Sequence, residues 1–226
     1  KGTTQNYGVF VDGLSGNAVS TITSGGGNVK VEGTGNGTAY NNYGVYVFNG
    51  GQITAGGNGM VDVTGFGSIT GTFRNNGVFV DGLSGTNISS ITSDGGNVKV
   101  EGTGRGTMDS NYGAYVLNGG QITAGGNGEV DVTGFCSISG TSSSNGVYVN
   151  IASQITAGGN GKISVTGTGF HGIVVKGEIR SNGDIFVNGT SNNVSGKFDA
   201  GIKITGKNAK VTTSMGAIKL NGEGGN

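Results

Sequence analysis

Between residues 42 and 65 apolar and polar side chains alternate with a period of two in three short stretches: Val45-Tyr46-Val47, Gln52-Ile53-Thr54-Ala55 and Met60-Val61-Asp62-Val63. A period of two belongs to β-strands, whose successive side chains point to opposite faces. The stretches are separated by Asn49-Gly50-Gly51 and Gly56-Gly57-Asn58-Gly59, residues that tolerate positive φ and so build tight turns. The pattern then repeats. GVFV, GVYV, GVFV, GAYV and GVYV begin at Gly8, Gly44, Gly77, Gly113 and Gly146, at steps of 36, 33, 36 and 33 residues. GIVV from Gly172 and GIKI from Gly201 continue the series.

Residues 8–76 and 77–145 are two copies of one 69-residue unit, identical at about 50 of 69 positions, and residues 146–226 carry shorter, degenerate versions. Residues 1–226 therefore read as a single array. Three short strands per repeat predict an all-β fold, a single-stranded parallel β-solenoid in which the chain coils into stacked rungs. The count gives six to seven rungs and a rod roughly 30 Å long at about 4.8 Å per rung. The coil is predicted to be right-handed, as parallel crossovers favour. Parity sends pairs such as Val45/Val47, Val78/Val80, Val61/Val63 and Val130/Val132 inward, and also Ile202/Ile204. β-branched residues suit a pleated, tightly stacked interior.

The string QITAGGNG occurs at 52–59, 121–128 and 154–161. Stacked rungs explain the repetition: each copy should lie over the corresponding segment of the next rung. Ile53, Ile122 and Ile155 should then stack inside, and Asn58, Asn127 and Asn160 should form a side-chain amide ladder.

The residues between the inward pairs form outward rows. One row reads Lys30, Asp62, Lys99, Asp131, and its alternating signs place opposite charges on neighbouring rungs. Another reads Phe10, Tyr46, Phe79, Tyr115, Tyr148. Two readings of this aromatic row stand side by side. The rings can be covered by adjoining loops and stabilise the sheet by stacking, or they can be an exposed apolar stripe for lateral packing or glycan contact. Tyr7, Tyr43 and Tyr112 precede the same glycines and belong at the corner.

Composition narrows the function classes. Glycine supplies 52 of 226 residues and proline none, and no helical period survives the glycines. Charged residues are 12% of the chain and the formal net charge is zero, so there is no electrostatic pull toward nucleic acid or anionic membrane. No apolar run is long enough to span a bilayer, so no membrane insertion is expected. The single histidine, His171, stands where other repeats have Tyr or Asn, and Cys136 replaces Gly67 of the other unit. Neither suggests a catalytic set, and an enzyme is not expected. The GGNG turns invite comparison with a calcium-binding nonapeptide. However, two residues precede Asp62 and Asp131 where that motif has one, which turns the aspartate to the other face of the strand. No metal or other cofactor is expected.

The strings GVYV, QITAGGNG and VDVTG, repeated, resemble the passenger repeats of large bacterial surface proteins, in particular filamentous-haemagglutinin-type adhesins and autotransporter β-helices. The resemblance implies an extracellular or cell-surface location and a structural or adhesive role in a fibre. It carries over no individual functional residue. The alternative is a carbohydrate-binding or polysaccharide-processing β-helix. The closing NGEGGN matches a turn that elsewhere leads into a strand, and the opening KGTTQNYG resembles the rung-entering loop GTAYNNYG at 37–44. The expected partner is therefore the protein itself or neighbouring repeats of a longer chain, with the rod continuing axially, possible lateral packing, and glycans as further candidates.

Overall fold

The structure, a computed structural model, describes residues 2–13, 19–82, 88–137, 143–193 and 199–225. Among these residues the regular elements are twenty-one strands in three parallel sheets of seven, with no helix. Each sheet takes every third strand, so one strand from each makes a rung and seven rungs stack into a β-solenoid. The second rung, for example, comprises Val45–Phe48, Gln52–Ala55 and Val61–Phe66. Val45 pairs with Val9 below and Val78 above, and Val61 pairs with Val29 and Val98.

The alternation seen in the sequence is the alternation of burial. Val45, Val47, Val61, Val63, Val130 and Val132 are buried in one continuous apolar core that runs through the stack. The second sheet adds Ile53, Ile91, Ile122, Ile155 and Ile179, all sealed from solvent. Burying each such side chain contributes about 1.5–3 kcal/mol before entropy is counted. Two residues after each isoleucine the interior takes only Ala or Ser, and the hydroxyl of Ser93 donates to the carbonyl of Gly59 at 2.7 Å, so it is not left unpaired. Ile202 and Ile204 depart from the expectation. Ile202 is only partly buried and Ile204 is 43% exposed, because the seventh rung has a neighbour on one side only. Ile218 and Leu220 of the same rung are exposed for the same reason.

The copies of QITAGGNG are not all adjacent. Gln52 pairs with Ser90, and Ser90 with Gln121, so the variant SITS (90–93) lies between the first two copies. Only the copies at 121 and 154 are direct neighbours. The cause is the 69-residue unit, which spans two rungs. The expected amide ladder at Asn58, Asn127 and Asn160 is also corrected. Turn asparagines bridge rungs through the main chain: Asn127 Oδ1 accepts the N–H of Asn160 at 3.0 Å, and Asn28 and Asn97 do the same for Met60 and Glu129 at 2.9 Å. In the turn the side chain lies beside the next rung's main chain, which offers a donor closer than another amide.

An amide ladder does exist, two residues before the rung-opening glycines. Asn6 Nδ2 donates to Asn42 Oδ1 (3.0 Å), Asn42 Nδ2 to Asn75 Oδ1 (2.9 Å) and Asn75 Nδ2 to Asn111 Oδ1 (3.2 Å). Asn42, Asn75 and Asn111 are buried. The ladder passes to Ser144, whose hydroxyl accepts the N–H of Asn111 at 3.3 Å.

Candidate functional site

The charge row keeps its register, Lys30 against Asp62, Asp62 against Lys99 and Lys99 against Asp131. Its pairing differs from expectation. Lys99 Nζ sits 2.8 Å from Glu101 Oε1, two residues along the same strand face. An aspartate holds its carboxylate close to the sheet, whereas the lysine carries its ammonium farther out, to the reach of a glutamate. The Glu101 hydrogen bond and charge raise the Lys99 pKa first, and Asp62 and Asp131 add less. Burial raises the carboxyl pKa of Asp131 against the opposing pull of Lys99. Both partners of the Lys99–Glu101 pair are well exposed, so it is a weak surface pair. Among the described residues no group of three His, Cys, Asp or Glu is placed to hold a metal ion. His171 is a buried corner residue whose Nδ1 accepts the N–H of Ala200 at 3.1 Å, and burial lowers its pKa.

The aromatic row runs along the outside of the first sheet. Parallel, in-register strands bring equivalent rings to about 4.8 Å, the separation at which rings stack. Phe10 and Tyr46 lie 5.2 Å apart, Tyr46 and Phe79 4.9 Å, Phe79 and Tyr115 4.9 Å, and Tyr115 and Tyr148 5.2 Å, all stacked. The row is not an evenly exposed stripe. Phe10 is 45% exposed, Tyr115 and Tyr148 are half-buried, and Tyr46 and Phe79 are buried at 8% and 6%. The cover comes largely from other rings. Tyr43 meets Tyr46 at 5.0 Å and Phe79 at 5.2 Å edge-to-face, and Phe48 stacks on Tyr46 at 5.1 Å. Tyr7 in turn stacks on Tyr43 at 5.2 Å.

This second row occupies the position just before each rung-opening glycine, which reads Tyr7, Tyr43, Asn76, Tyr112, Asn145, His171, Ala200. The third rung thus has an amide where its neighbours have rings. A recess of about 360 Å³ opens there, floored by Tyr46, Phe79 and Tyr115, flanked by Tyr43 and Tyr112, with Arg74, Asn76 and Asp81 in its lining. Asp81 is buried, and Asn118 Nδ2 donates to its Oδ1 at 2.9 Å. Asn76 Oδ1 accepts the N–H of Tyr112 at 2.9 Å. Arg74 is exposed and stands at positive φ (54°). The recess therefore joins a floor of mutually stacked rings and the flanking tyrosines Tyr43 and Tyr112 to one cationic and one anionic group. A second recess of about 540 Å³ lies on the third sheet beside Thr103 and Phe135; there Arg105 already lies over the Phe66 ring at 5.1 Å.

Burial raises the hydroxyl pKa values of Tyr43, Tyr46 and Tyr115 well above the ordinary value and that of Tyr112 to about 12. The Arg74 guanidinium opposes the rise at both Tyr43 and Tyr112, so its charge is felt on both flanks of the recess. A raised folded-state pKa favours the protonated fold. The stability it contributes is complete below the unfolded value of about 10 and is lost as pH climbs through the folded values. In an alkaline titration the phenolate absorbance of these tyrosines should appear only above pH ~10, together with loss of the far-ultraviolet strand signal. Titration of Tyr43, Tyr46, Tyr112 and Tyr115 near pH ~10 on an intact fold would contradict their burial.

The sequence-predicted row and the recess share Tyr46, Phe79 and Tyr115, whereas Phe10, Tyr148 and the charge row lie outside the recess lining. Arg74, Asn76 and Asp81 escaped sequence reasoning. The available signal was the break in the Tyr7, Tyr43, Tyr112 series at Asn76. Compared with known proteins, the chain matches no family model, no curated protein and no solved structure.

Proposed function

We propose that this β-solenoid is a structural and adhesive segment of an extracellular or cell-surface bacterial fibre. The observation that carries the reading is the unbroken register of seven rungs, which turns single side chains into rows along the sides of a rod. A surface of that kind suits repeated weak contacts with a partner of matching period. The resemblance of GVYV, QITAGGNG and VDVTG to adhesin passenger repeats points the same way. No catalytic step and no cofactor belong to this reading. The partners are other copies or further rungs, through the exposed edge that carries Ile204, Ile218 and Leu220, and glycans, but not nucleic acid. The aromatic recess favours glycan binding as a second reading.

Electron microscopy and sedimentation of the purified chain, combined with binding of the labelled protein to cells and immobilised glycans, test the proposal. Fibres, end-to-end oligomers or saturable adhesion are the expected results. A monomer at high concentration that adheres to nothing would overturn it. Release of new reducing ends from a polysaccharide would favour the processing enzyme instead.

A further inference from the structure

We propose that the recess in the third rung binds one pyranose ring of a glycan and prefers an acidic sugar. The inference rests on the adhesive reading above and names the ligand class of that surface. The geometry comes from the missing ring. Tyr7 and Tyr43 stack at 5.2 Å, so adjacent rings of the row repeat at close to the rung spacing. Tyr43 and Tyr112 are two rungs apart, about 10 Å of rise, with the short Asn76 in place of the ring between them. A space one ring thick, bounded by tyrosines and floored by Phe79, is what remains.

Chemistry selects the occupant. Aromatic faces carry negative charge and favour the C–H bonds of a sugar ring. The Asp81 carboxylate, buried and already accepting from Asn118 Nδ2 at 2.9 Å, can only accept hydrogen bonds, so it suits a ligand that carries hydroxyl donors. A flat aromatic ring has few of these, while a pyranose carries them around its rim. Arg74, whose charge reaches both flanking tyrosines, offers a planar fork of donors that matches a carboxylate. Its position opposes a cationic ligand. The recess also has the form of a ligand site, concave and mainly aromatic with a few convergent polar groups.

The test uses the intact chain and a printed panel of glycans, in which neutral members are paired with counterparts bearing a uronic or sialic acid. The native protein should be retained on acidic members in preference to their neutral counterparts. Asn76→Tyr restores the ring that the neighbouring rungs carry and should weaken retention at least tenfold while the chain still unfolds cooperatively. Should that variant not fold, Arg74→Asn serves in its place. It keeps a residue tolerant of positive φ and should abolish the preference for acidic members. Absence of retention by the native chain, unchanged retention by folded Asn76→Tyr, or an unaltered acidic preference in Arg74→Asn would each overturn the inference. A chain that binds glycans but forms no fibre leaves the inference standing. A chain that forms fibres and binds no glycan overturns the inference and leaves the structural reading intact.

Discussion

Gly102→Ala should destabilise the protein by more than about 4 kcal/mol and should remove cooperative unfolding if the native margin is smaller than that. Gly102 lies in the strand Val98–Gly104, on the third sheet. A Cβ there would stand 2.0 Å from the carbonyl oxygen of Gly113 and 2.5 Å from its carbon. Both are main-chain atoms, and the oxygen already accepts the N–H of Val78 at 3.0 Å. No rotamer change relieves such a contact. Either the rung-opening strand moves, breaking its ladder, or the corner between the first and third sheets opens. The same approach joins Gly65 to Gly77, Gly134 to Gly146 and Gly189 to Gly201, with Cβ contacts of 2.0–2.2 Å. The alanine would thus break a constraint that every neighbouring rung shares. Gly25→Ala is the control: its Cβ would meet nothing within 4 Å, and the change should be nearly neutral. Urea denaturation followed by circular dichroism measures both. Gly102→Ala within about 1 kcal/mol of the parent would refute the close-approach account.

Asn75→Leu should have the next largest effect, roughly 2–5 kcal/mol. Asn75 is wholly buried. Its Oδ1 accepts from Asn42 Nδ2 and its Nδ2 donates to Asn111 Oδ1. Leucine is similar in size and can do neither. Asn42 loses its acceptor, and each buried polar group left without a partner costs about 1–3 kcal/mol. Asn111 is partly spared, since its Oδ1 also takes the main-chain N–H of Asn75 at 2.8 Å. The comparison that isolates burial is Asn188→Leu. Asn221 Nδ2 donates to Asn188 Oδ1 at 2.8 Å, an amide bond of the same kind but exposed. Water replaces it there, so the loss should stay within about 0.5 kcal/mol. Equal losses at Asn75 and Asn188 would show that the buried ladder has no special weight.

The contrast between these sites explains what was legible in the sequence. Val45/Val47 and Val130/Val132 were readable as core because alternation is a property of a strand's own sequence. The rows Phe10–Tyr148 and Lys30–Asp131 were readable because the repeat aligns them, and the register follows the alignment. Contacts that join different parts of a rung were not readable. Gly102 lies in the third sheet and Gly113 just before the first-sheet strand Ala114–Leu117, and nothing in either stretch's pattern says that their main chains nearly touch. Asn75 and Asn58 are both asparagines beside glycines in a repeat. Only the fold places one in the interior and the other on a turn that faces the neighbouring main chain. Exposure of the aromatic row depended on Tyr43 leaning over Tyr46 and Phe79. The recess depended on one missing ring, which a reader attentive to the recurring pattern passes over as noise.

The direction of the hydrogen bonds in the three sheets has a mechanical consequence. Parallel ladders between rungs point along the rod, so tension applied along the axis pulls on each bond lengthwise and concentrates on the outermost rung. The rod then yields by peeling one rung at a time instead of shearing many strands at once. Each of the rungs that begin at Gly8, Gly44, Gly77 and Gly113 holds 33 or 36 residues, and releases roughly 110–130 Å of slack chain when it goes. Those that begin at Gly146 and Gly172 hold 26 and 29 residues and release roughly 85–105 Å. Under a steady pull such a molecule lengthens rung by rung, in larger steps from the first four rungs and smaller ones from the next two, while the remaining rungs stay folded.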